Sequence, residues 1–276
     1  MLVFLHDTFM QLGLMASVLI GVSCGYLSVY VVLKRLVFLA VALAQFASAG
    51  IAVSLLVLPH NDPIFAAFAG VMLGSVFFSW PALGRYLPRE NAIGTAYALA
   101  SAVGVILMAT NASGEAHLLT LLYGDVLTVQ MNELWIMAGI MLVTGIIFLC
   151  FAKEFLFSSF DAEMARTVGV HVKLWEVLFN ISLGLIIAMT IRLGGMMLAF
   201  AMLVLPGYAA LIAGSRIRPA FIWACILAVI SGVVGLCLSF KYDNLPNSAL
   251  TIACLGICVL IGALVGMLKR LVVPNR

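Results

Sequence analysis

Few side chains in this 276-residue chain can do chemistry, and none forms an enzyme's arrangement. The four histidines, His6, His60, His117 and His171, fall near the ends of apolar runs, and none has a second ligand four residues on. All six cysteines (Cys24, Cys150, Cys225, Cys237, Cys254 and Cys258) lie within apolar runs. Cys254 and Cys258 share a helix face, a spacing that could hold a soft metal ion, but they are read as small buried packing residues. The sequence has no GxxxxGKS/T phosphate loop, no HExxH pair and no Ser/His/Asp arrangement. It is therefore read as a non-enzyme that uses no cofactor. The polar groups at depth are Gln45, Asn180, Ser48, Ser75, Ser101 and Ser182. An ion-coupled carrier holds its driving ion with buried carboxylates, and the one candidate is Asp125, in LLYGDVLTVQMNE.

The elements that hold these residues follow from composition. The chain is 65% hydrophobic and 9% charged, with a mean hydropathy of +1.23. A soluble domain carries about 25% charge because its surface faces water. Most of this surface must face lipid instead, and the modest net charge of +3 implies no nucleic-acid partner. A helical span needs about 20 apolar residues. Runs of that kind cover 10–33, 36–58, 64–82, 92–111, 133–152, 176–192, 195–213, 219–240 and 248–268. Because Arg192, Gly194 and Gly195 divide 176–213 only poorly, the count is eight or nine. The expected fold is all-α, a polytopic transmembrane bundle forming a single permease-like domain over 1–276. Residues 1–9 read as a lead-in rather than a secretion signal.

Basic residues set the expected orientation. With Lys34 and Arg35 in the cytoplasm, alternating spans put twelve of the fourteen basic residues on that face and leave Arg192 and Lys241 outside. The N-terminus is then outside and the C-terminus cytoplasmic. The pairs Gly21 and Gly25, Gly70 and Gly74, and Gly262 and Gly266 have the spacing that lets helix backbones approach closely. Pro206, with Gly207 beside it, is expected to kink or break its helix by freeing the Met202 carbonyl. Broken helices line the paths of many transporters, and Pro206 is a candidate path residue on that ground.

One stretch is polar. Seven of the 25 charged residues fall between Lys153 and Glu176, around SSFDAEMARTVGVHVKLW (158–175). Ser159 or Asp161 can cap a helix here and Gly169 can end it. Phe160, Met164 and Val168 fall four apart, as one apolar stripe. Such a helix either lies in the headgroup layer or docks on a cytoplasmic partner.

The blocks GYLSVYVVLKRLVFLAVALAQFASAGIAV, ENAIGTAYALASAVGVILM, LLYGDVLTV, SFDAEMARTVGV and RLGGMMLAFAMLVLPGYAA follow one another along the chain. In that order they resemble the ABC-3 permeases of zinc, manganese and iron importers. The resemblance implies alternating access driven by separate cytoplasmic ABC ATPase subunits, a second permease subunit (identical or different) and an extracytoplasmic substrate-binding protein. The whole would sit in a bacterial cytoplasmic membrane. It also implies that Phe160, Asp161, Met164, Ala165 and Gly169 form the coupling helix resting in a cleft of the ATPase. In the family GDALSHAALPG follows the first basic pair, and its Asp and His look like metal ligands. Here the stretch reads AVALAQFASAG, with Val41, Gln45 and Ala49 in place of Asp, His and Pro. Valine cannot ligate a cation and an amide is a weaker zinc ligand than imidazole, so no metal site is assigned. Gln45, Asp125 and Pro206 remain the expected path residues. The substrate is expected to be a divalent transition metal or its chelate. An ATP-independent carrier or channel, or a non-transporting scaffold, is the alternative.

Overall fold

The computed structural model describes residues 8–57, 63–79, 89–110, 124, 129–160, 162–214, 217–242 and 245–272. Among them are ten helices: α1 (Thr8–Leu33), α2 (Val37–Val57), α3 (Pro63–Ser79), α4 (Arg89–Ala109), α5 (Met131–Cys150), α6 (Ala152–Phe160), α7 (Ala162–Thr167), α8 (Val172–Ile212), α9 (Ile217–Lys241) and α10 (Asn247–Val272). The described residues contain no strand, as expected of a chain whose backbone polar groups must be satisfied within lipid.

Seven of these helices are long and apolar enough to cross a bilayer, fewer than the eight or nine expected. Two features account for the difference. Residues Phe65–Ser79 form an apolar helix that falls short of the span length. The runs 176–192 and 195–213 belong to one helix, α8, of 41 residues. A straight helix of that length would rise about 60 Å, twice the apolar thickness of a bilayer. It is not straight, because Gly195 adopts φ 84° and ψ 166°, a backbone geometry that favours glycine. Both arms return to the same end of α1. In the first arm, the Phe179 ring lies beneath the Lys34 ammonium, which is 4.5 Å from its centroid. In the second, Gly207 lies against the backbone of Ser28, and Ala210 packs with Val29. α8 is therefore a hairpin with its tip at Gly195. The break expected at Pro206 and Gly207 is absent, since α8 stays helical through both. A proline removes one backbone bond, which packed neighbours can absorb, whereas a left-handed φ redirects the chain.

α1 and α8 form the centre. α1 packs on α8 and α9, α2 on α3 and α4, and α10 on α8 and α9. The span of α1 is 67% buried and that of α10 only 17%, which makes α10 a rim helix. Leu99, Trp135, Leu149 and Leu260 are two-thirds exposed or more, a surface suited to lipid and not to water. Apolar contact does little to join helices in lipid, so close backbone approach carries more weight. The three glycine pairs serve it inside the chain: Gly21 and Gly25 lie on α9, Gly70 on the Phe46 carbonyl of α2, and Gly262 and Gly266 on the Ala209 and Ile212 carbonyls of α8. Lys269 of α10 donates to the Ala213 carbonyl at 3.0 Å, capping the end of α8.

Rings join the helices at the Lys34 end. Tyr26 and Tyr30 of α1, Phe148 of α5, Phe155 of α6, Phe179 of α8 and Phe221 of α9 form one cluster. Within it the Phe148 and Phe155 centroids are 4.4 Å apart and those of Tyr30 and Phe221 are 4.8 Å apart. Phe155 and Phe179 are 0% exposed and Tyr30 is 1% exposed. Trp175, at the start of α8, adds an edge contact to Phe155.

Candidate functional site

The polar stretch divides into two short helices. α6 ends at Phe160, α7 runs over Ala162–Thr167, and Asp161 lies outside the described residues. The apolar stripe expected on one helix is thus split, with Phe160 closing α6, Met164 within α7 and Val168 just beyond it. Ser159 does not cap α7, because its Oγ donates back to the Phe155 carbonyl at 2.5 Å. The far end behaves as expected. Gly169 takes φ 87°, its N–H donates to the Arg166 carbonyl at 3.1 Å, and the Val170 N–H donates to Ala165 at 3.0 Å. That bond pair closes a helix through a left-handed residue. A Cβ on Gly169 would meet nothing within 4 Å, so the backbone angle is what requires glycine here. Ala165 is fully buried, while Met164 and Val168 are 57% and 68% exposed. α7 therefore presents an apolar edge outward. Through α6 and Phe155 it is tied to the aromatic cluster, and so to α1, α5, α8 and α9.

The residues expected along a path sit elsewhere and are not gathered. Gln45, half-buried on α2, donates through Nε2 to the Met196 Sδ at 3.3 Å. Pro206 is buried on the second arm of α8, about 15 Å of helix rise beyond Met196, so Gln45 and Pro206 do not meet. Asp125 lies outside the described residues. Its neighbour Gly124 is described. With φ 61°, it presses its backbone against Gly194 and Gly195 so closely that a Cβ would overlap them. Val41 and Ala49 are half-buried on α2. Among the described residues, no three or more His, Cys, Asp or Glu side chains gather as a metal would need.

Two features were not visible in the sequence. Arg192 Nη2 pairs with Glu133 Oε1 at 2.9 Å, joining the hairpin tip to the first turn of α5. Glu133 Oε2 also accepts the Gln130 N–H at 3.3 Å. The only local signal was that Arg192 is a charge inside an apolar run. Second, Asn180 is 0% exposed, and its Nδ2 donates to Ser79 Oγ at 2.9 Å. Ser75 Oγ donates to the Asn180 carbonyl at 3.1 Å, and Asn180 Oδ1 has no partner among the described residues. These bonds stitch α3 to the first arm of α8.

The chain is similar to known transport proteins over nearly its whole length. It is 31% identical over 250 residues to a probable iron transport system membrane protein of Haemophilus influenzae, covering 87% of each chain. It is 25% identical over 248 residues to the manganese transport system membrane protein MntC of Halalkalibacterium halodurans, covering 90% of this chain and 84% of that one. Its fold superimposes on PsaBC of Streptococcus pneumoniae, solved in complex with Fab, with a TM-score of 0.84 at 21% identity over 97% of this chain and 96% of that one. Residues 6–266 match the ABC 3 transport family, and with the helical bundle, the short α7 and the broken α8 in place, the chain belongs to that family.

Proposed function

We propose that the chain is the permease subunit of an ATP-driven importer for a divalent transition metal ion, or for its chelate, and that 1–276 act as one permease domain. In this reading the Lys34 end faces the cytoplasm, with the N-terminus outside and the C-terminus inside. A separate ABC ATPase seats α7, with Phe160, Asp161, Met164, Ala165 and Gly169 as the docking element. A binding protein delivers substrate at the far end, and two permease subunits enclose the path. Gln45, Asp125 and Pro206 contribute to that path.

One observation carries the reading: a short capped helix with an exposed apolar edge is wired through Phe155 into a ring cluster touching four other helices. A push on α7 then reaches α1, α5 and α8 together, because close-packed interiors transmit strain. The manganese and iron relatives support a metal substrate. Val41 and Gln45 in place of stronger ligands support a path that holds its cargo weakly, and weak holding favours release.

The test is co-purification with a candidate ATPase, followed by metal uptake in vesicles. A Phe160→Arg, Gly169→Trp double variant is expected to lose both. Undiminished binding and uptake in that variant, or uptake with no ATPase present, would overturn the proposal.

A further inference from the structure

The tip of the α8 hairpin is held from three sides. Arg192, just before the break, pairs with Glu133 on α5 at 2.9 Å. Met196, just after it, accepts from Gln45 on α2 at 3.3 Å. Between them, the backbone of Gly194 and Gly195 lies where a Cβ on Gly124 would overlap it. Three separate segments therefore converge on five consecutive residues, 192–196, and one of those five, Gly195, is the point where α8 leaves helical geometry.

These holds differ from the rest of the bundle. The tip lies about 20 Å of helix rise from Phe179 and Lys34, still within a slab of about 30 Å. A charge at such depth is costly unless it is paired. Arg192 is 42% exposed and Glu133 13%, so the pair is only partly enclosed by the bundle. The amide–thioether contact is weak, since sulfur is a poor acceptor.

We propose that Arg192 and Met196 are positioning residues for transport: acting through Glu133 and Gln45, they latch the hairpin tip shut between α5 and α2, and the latch opens when the two arms of α8 pivot at Gly195. The proposal rests on the permease reading for what the latch controls, but not for the latch itself.

The test has two readouts. The first is hydrogen exchange of the peptide 193–198 in the full chain in lipid nanodiscs, which needs no partner and no transport. Arg192→Gln and Glu133→Gln are each expected to speed exchange there by about tenfold, the effect of about 1.4 kcal/mol. The charge-swapped pair Arg192→Glu, Glu133→Arg is expected to return it to within about twofold. Met196→Leu, which keeps the volume, gives a smaller rise and guards against misfolding of the charge variants. The second is passive manganese ion leak through the complete transporter in vesicles without nucleotide. It should rise about threefold or more in the single variants and fall back in the swap. A merely structural pair would lower the yield of folded protein without moving leak in the folded fraction. Unchanged exchange in the single variants, or a swap no better than either single, overturns the latch whatever the transport result. Faster exchange with unchanged leak overturns its role in transport. A lack of ATP-driven uptake in the unmodified complex defeats the permease reading and leaves the exchange result standing.

Discussion

The two ends of the bundle are built from different materials. At the Lys34 end, six rings from five helices interlock around Tyr30 and Phe155, and α6 and α7 are fixed to that block. At the hairpin tip the described residues make one ion pair, one amide–thioether contact and a contact between glycine backbones. Buried rings contribute both area and geometry, and their loss is costly. Isolated polar contacts contribute far less each and can be exchanged. A lever needs a stiff end to receive force and a lightly held end to move. The molecule has one of each, joined by the single long element α8.

The comparison breaks first at the stiff end. Phe155→Ala removes a fully buried ring that touches α1, α5 and α8, and it is expected to lower stability by about 3–5 kcal/mol. Thermal unfolding in detergent would measure this, and ATPase association should fall in parallel. Unaltered unfolding would mean that the cluster does not hold α6. At the tip, Gly124→Ala adds a Cβ where the backbone already touches Gly194 and Gly195, and at φ 61°. Overpacking and the left-handed strain together predict a loss of about 2–4 kcal/mol. The smaller figure reflects freedom of the tip to retreat, so the variant should also speed hydrogen exchange at 193–198. A loss of stability equal to that of Phe155→Ala, with no local change in exchange, would erase the distinction between the two ends.

How far the sequence could be read follows the range of the forces involved. Span positions were legible because the bilayer imposes a length, and the division near Arg192, Gly194 and Gly195 proved to be the tip of the hairpin. Gly169 was legible because a helix end requiring positive φ selects glycine locally. Of the kink or break expected at Pro206, a break is absent: the residue that turns the chain is Gly195, and local propensity does not say which of two helix breakers yields. Of the two candidate caps, Ser159 is taken by an equally local acceptor, the Phe155 carbonyl within its own helix, and Asp161 lies outside the described residues. The ring cluster, the Glu133–Arg192 pair and the Gly124 contact join residues far apart in the chain, and periodicity carries no trace of such pairings. Seven helices qualify where eight or nine spans were expected, because the runs on either side of Gly195 are the two arms of one helix and Phe65–Ser79 is short.

The central claim, that force enters at α7, is tested most directly by hydroxyl-radical footprinting of Met164 with and without the bound ATPase. Met164 is 57% exposed in the chain alone, and a thioether is oxidised readily when reached. The bound ATPase is expected to protect Met164 at least about fivefold, while Met131, 51% exposed at the opposite end of the bundle, keeps its reactivity. Equal oxidation of Met164 with and without a bound ATPase would contradict the claim.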